Sequence, residues 1–160
     1  MKVVESDIRR TNPWAFALYV GFFAGLIWGA AKIVLYYLRF TSVLPGFMVE
    51  PLFKHEFMKS WRGLLTGWAF IIAASIAAAL LYTAVLRKVK GPYPGILYGA
   101  AWWLVSFLLA GEGGVTPAIA EMNPTTLVSE LCLFVLWGLF IGYTISEEFN
   151  EERHSPADNG

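Results

Sequence analysis

Charge is scarce in this sequence. Asp, Glu, Lys and Arg make up 15% of its 160 residues and cancel to a formal net charge of zero, whereas an ordinary soluble domain carries about 25%. No bulk field exists to recruit nucleic acid. Cysteine occurs once, as Cys132, which excludes an intramolecular disulfide and a multi-cysteine metal centre. Set within an apolar run, Cys132 is expected to be a buried packing residue. Histidine occurs twice, His55 in a connection and His154 in the C-terminal tail, and neither lies near a plausible buried nucleophile. A serine–histidine–acid set is therefore missing, and His55 with Glu56 makes a poor metal site. Phosphate-binding loops, dinucleotide fingerprints and haem-ligating histidine pairs are missing too. No catalytic residue, metal site or cofactor is expected.

What the sequence has in excess is hydrophobic side chains, 57% of the total. They fall in four runs, about 14–38, 61–86, 95–110 and 125–145. A helix of about 20 apolar residues crosses about 30 Å of hydrocarbon, so each run is read as a transmembrane helix and the chain 1–160 as one all-α membrane domain. Asn12-Pro13 has the form of a helix start, with Asn as cap and Pro in the first turn. Pro45-Gly46 and Pro51 punctuate the first connection, Gly91-Pro92-Tyr93-Pro94 forces a turn, and Pro124-Thr125 opens the last span. Residues 146–160, with Glu147, Glu148, Glu151 and Glu152, are read as a solvated acidic tail.

Basic residues set the expected orientation. Lys2, Arg9, Arg10, Arg87, Lys88, Lys90 and Arg153 fall on one side of a four-span chain, and Arg39, Lys54, Lys59 and Arg62 on the other. The larger set marks the cytoplasmic side, which puts both termini in the cytoplasm of a bacterial cell. Trp14, Tyr36, Tyr37, Trp61, Tyr93 and Tyr143 lie near the proposed interfaces, where amphipathic rings collect. Trp28, Trp68, Trp102, Trp103 and Trp137 lie deeper and are read as packing between helices.

Small residues recur at every fourth position: Gly21, Gly25 and Gly29 in the first span; Gly63 and Gly67, then Ala73 and Ala77, in the second; Gly91, Gly95 and Gly99 into the third; Gly138 and Gly142 in the fourth. Spacing by four aligns them on one helix face, where two backbones can approach closely. The contact is within one chain or between two. A faint echo between Leu18-Tyr19-Val20-Gly21 and Leu97-Tyr98-Gly99 also fits a parallel duplication of helix hairpins, although composition alone produces such matches.

Two ionisable residues fall inside the hydrocarbon, where each is a site hypothesis by default. Lys32 precedes the end of the first span and Glu130 follows the start of the fourth, so both lie roughly 7–11 Å from the same boundary at about 1.5 Å per residue. Either they form a buried ion pair, lining a polar cavity or simply holding helices, or Lys32 snorkels to the headgroups while Glu130 pairs locally. Glu50, His55, Glu56, Glu112 and Glu121 share the same side of the membrane, but their spacing does not require them to converge.

These residues together resemble a known family. Asn12-Pro13-Trp14, the stretch from Gly21 to Gly29, Phe40-Thr41, Pro45-Gly46-Phe47, Glu50-Pro51, the stretch from Lys90 to Ile96, Trp102-Trp103 and the stretch from Leu136 to Tyr143 resemble the YqhR family of membrane proteins in Bacillus-like Gram-positive bacteria. The resemblance runs from about residue 12 to 148. It implies a small four-span membrane protein and transfers no active-site residues.

The expected function is that of a structural or interaction component of the membrane. One alternative is a small oligomeric transporter or channel subunit with Lys32 and Glu130 at a polar cavity. Another is a lipid-modifying enzyme using His55 and the loop carboxylates. The expected partners are the lipid bilayer and a membrane protein or second copy of the chain, with no nucleic acid.

Overall fold

The computed structural model describes residues 12–47, 49, 55–114, 116 and 119–151, apart from the side chains at 55, 58 and 151. The described chain is all-α: α1 (Pro13–Tyr37), a short α2 (His55–Lys59), α3 (Trp61–Val85), α4 (Tyr93–Glu112), a 3-10 turn (Ile119–Glu121) and α5 (Pro124–Glu151). Four of these, α1, α3, α4 and α5, are long and apolar enough to cross a membrane.

Local chemistry starts and stops each helix. Asn12 Oδ1 accepts from Trp14 N at 3.1 Å, with Pro13 in the first turn. At the other end of α1, Phe40 N returns to Leu35 O at 3.0 Å while Arg39 adopts φ 61°. That is a helix-ending reversal, with arginine in the left-handed position where glycine is usual. Ser60 Oγ caps α3 by accepting from Gly63 N. Gly91 at φ 97° makes the turn into α4, and Asn123 Oδ1 accepts from Thr125 N at 3.0 Å to start α5.

Two antiparallel hairpins form, each closed by glycine. α1 lies on α3 with Gly21 against Ile76, Gly25 against Ile72 and Gly29 against Trp68. α4 lies on α5 with Gly95 against Gly138, Leu139 and Gly142, and Gly99 against Phe134 and Val135. A Cβ on Gly25 would come within 2.5 Å of Ile72 Cα, and one on Gly95 within 2.8 Å of Gly138 O. In lipid, where hydrophobic drive between helices is small, this approach supplies much of the association. Gly63 is buried. Gly67 faces the backbone of Pro45 and Gly46, a connection rather than a helix.

The hairpins join mainly where α1 meets α5. Ala17, Val20 and Ala24 pack there with Ala78, Ala79 and Tyr82 and with Trp137, Ile141 and Ile145. Although consecutive, α3 and α4 touch little. They come together where Tyr98 Oη donates to Ala78 O at 2.8 Å and the Tyr82 and Tyr98 rings meet edge to face.

Three features go beyond or depart from the sequence reading. The connection after α1 is buried at Thr41, Val43, Leu44, Phe47 and Val49. Val43 and Phe47 pack on Phe107, Ala110 and Met122, plugging that end of the bundle. Irregular backbone at such a depth is tolerated where protein, not lipid, surrounds it. Second, α5 continues past 145 through Ser146–Glu151. Ser146 Oγ donates to Val89 O at 2.9 Å, Asn150 Nδ2 donates to Ser146 O, and Phe16 meets Phe149 edge to face. Residues 152–160 of the expected tail lie outside the described residues. Third, Cys132 is exposed. It shares the outward face of α5 with Val128, Leu131 and Leu136, where a thiol behaves as one more small apolar group.

Candidate functional site

The only charged side chains buried in the described structure belong to Lys32 on α1 and Glu130 on α5, 6% and 0% exposed. α1 and α5 are neighbours, and the structure brings the two residues together. Lys32 Nζ donates to Glu130 Oε1 at 2.7 Å and to Oε2 at 2.5 Å. Thr41, from the plug, donates its hydroxyl to Glu130 Oε1 at 2.6 Å, and its own Oγ1 accepts from Val43 N at 3.1 Å. The ammonium also sits 5.1 Å from the Phe47 ring centroid. Both charges are thus satisfied by each other and by the plug. Lys32 turns inward rather than toward the headgroups.

Beside the pair lies a cavity of about 100 Å³ between α3 and α4. Pro45 and Phe47 of the plug close it on one side, and Trp102 and Trp137 line its interior. Trp137 Nε1 donates to Ser75 Oγ at 2.9 Å, tying α5 to α3 behind the cavity. The remaining polar liner is Ser106 on α4, 3% exposed and without a hydrogen-bond partner. The lining is otherwise apolar and mostly aromatic.

The loop groups do not assemble into a second centre among the described residues. Glu56, Glu112 and Glu121 are exposed, and no three His, Cys, Asp or Glu side chains lie close enough to hold a metal ion. Glu50 and the side chain of His55 lie outside the described residues. Sequence reasoning missed Thr41, Phe47 and Ser106 as site members. Thr41 and Phe47 fall in a segment read as a connection. Nothing in the sequence sets Ser106 apart from the other serines and threonines of the spans, such as Thr83, whose hydroxyl donates to Ala79 O.

Comparisons with known proteins also point to a membrane protein. The family described as "Conserved membrane protein YqhR" matches residues 6–159. The "Uncharacterized protein YqhR" of Bacillus subtilis (strain 168) is 33% identical over 134 residues, covering 82% of this chain and 74% of that protein. No solved structure matches the chain.

Proposed function

The chain belongs to the YqhR family of conserved membrane proteins, and from that premise we propose that it is an interaction component of the bacterial cell membrane. In this reading it is a bundle locked internally by Lys32 and Glu130 that presents one helix face to a membrane partner. Both termini lie in the cytoplasm.

The observation that carries the reading is on α3. Gly21, Gly25 and Gly29 of α1, Gly95 and Gly99 of α4, and Gly138 and Gly142 of α5 are all spent on contacts inside the chain. Ala69, Ala73 and Ala77, spaced by four on α3, are exposed. A strip of small residues facing lipid lets a further helix approach closely. The ion pair favours the same reading over a transport path. Its carboxylate oxygens are taken by Lys32 and Thr41, and the cavity beside it has mainly apolar walls.

Cysteine crosslinking in native membranes tests this. In a Cys132→Ser background, Ala73→Cys should accumulate a discrete crosslinked species, with a second copy or with one other membrane protein. Val128→Cys, on the 61% exposed outward position of α5, should stay monomeric. Equal crosslinking at the two positions, or none at either, overturns the docking reading.

A further inference from the structure

The crevice between α3 and α4 has walls, an opening and an unmet hydrogen bond. The walls are apolar, with aromatic rings from Trp28, Phe47, Phe70, Trp102, Phe134 and Trp137 among them. Phe70 lines the crevice and is 36% exposed, and α3 and α4 touch little beside it. Between two helices long and apolar enough to cross a membrane, such a gap opens toward hydrocarbon. The unmet bond is that of Ser106, whose buried hydroxyl lines the crevice with no partner. A helical serine can return its hydroxyl to the preceding turn, and leaving a buried one unsatisfied is costly. Lys32 also lines the crevice. An ammonium has three N–H groups, and Glu130 takes up two of them.

These features select an occupant. A pure hydrocarbon would offer the Ser106 hydroxyl no partner. An anionic headgroup would bring a charge that the already neutral Lys32–Glu130 pair does not balance, in a place where unpaired charge is expensive. A neutral molecule with an apolar body and one carbonyl acceptor meets both conditions. Size limits how much of it enters. An apolar cavity on the order of 150 Å³ holds one benzene ring, and this one is about 100 Å³.

We infer that the crevice between α3 and α4 binds the carbonyl group of a neutral membrane lipid, with Ser106 donating to the carbonyl oxygen and the aromatic walls packing against the atoms beside it. The chain of the lipid stays in the bilayer. This site goes beyond the docking reading and does not depend on it. The carbonyl comes from either a quinone ring or an acyl ester, and the two need separate probes.

The test is the thermal unfolding of the full chain in nanodiscs, titrated with decylubiquinone, with dioctanoylglycerol and with tetradecane as the carbonyl-free control. Decylubiquinone, dioctanoylglycerol or both should raise the midpoint saturably, and tetradecane should not. A response to decylubiquinone alone assigns a ring carbonyl, one to dioctanoylglycerol alone an ester carbonyl, and one to both the carbonyl without further choice. Ser106→Ala should weaken the responding probe about tenfold, the worth of one hydrogen bond, without lowering the unliganded midpoint, because no existing bond is lost. Ala74→Leu, which fills the crevice, should abolish the response. No saturable shift with either carbonyl probe overturns the inference. So does a shift that tetradecane reproduces, or one that both variants retain.

Discussion

Lys32 and Glu130 stand 98 positions apart in the chain and meet with both carboxylate oxygens on one ammonium. They link the two glycine-closed hairpins at the junction of α1 and α5. Thr41 adds a third element, since its hydroxyl bonds to the same carboxylate while the segment around it plugs the bundle. One cluster therefore fixes how the hairpins dock and where the connection between α1 and α3 enters. Removing the water around each charge is expensive, and pairing offsets that cost only when geometry and further hydrogen bonds are good.

The glycine faces predict a steep response to added volume. Gly25 lies on the α3 backbone, with Ile72 Cα 2.5 Å from where its Cβ would be. Gly25→Ala should destabilise the protein in detergent by about 1–3 kcal/mol, the usual cost of overpacking a tight contact, and Gly25→Leu should prevent assembly. Leu26→Ala, at the partly buried next position, should cost less than Gly25→Leu. Folding yield and denaturant unfolding measure this. Equal yields for Gly25→Leu and Leu26→Ala would mean that the α1–α3 contact tolerates separation.

The distribution of basic residues predicts orientation. In a Cys132→Ser background, Lys59→Cys should react with an impermeant thiol reagent on intact cells and Lys90→Cys only after the cells are opened. Both positions are exposed in the structure, so access depends on the side of the membrane. The reverse labelling pattern would place both termini outside.

Much of the architecture was legible in the sequence because lipid simplifies the code. Four runs of membrane-spanning length leave few alternatives to four helices, and glycine at every fourth position names the contact faces of α1, α4 and α5. The matched depth of Lys32 and Glu130 was legible for the same reason, since helical rise converts position into depth. The plug was not. Proline, glycine and polar residues around 41–47 read as a turn-rich connection, and nothing local says that Gly67 leaves room for the backbone of Gly46. The end of α5 was misread because Glu147 and Glu148 carry a tail-like composition, while Ser146 and Asn150 hold the helix through bonds that hydropathy does not register. Cys132 was misread because hydropathy gives no rotation: an apolar helix position faces either protein or lipid. The α3–α4 crevice depends on how two hairpins dock, which periodicity within each helix does not encode.

The most direct measurement is a double-mutant cycle on Lys32 and Glu130, read as unfolding free energy in detergent or lipid. Lys32→Met and Glu130→Gln each leave the other partner buried without its counter-charge, at a cost of about 3–5 kcal/mol when a buried pair is broken from one side. The double variant removes both charges and should be no less stable than either single variant, which requires a coupling at least as large as one single loss, about 3–5 kcal/mol. A pair that only locks the bundle predicts that the double variant still gives the Ala73→Cys crosslink. A coupling indistinguishable from zero, with the two single losses simply adding, would contradict the account.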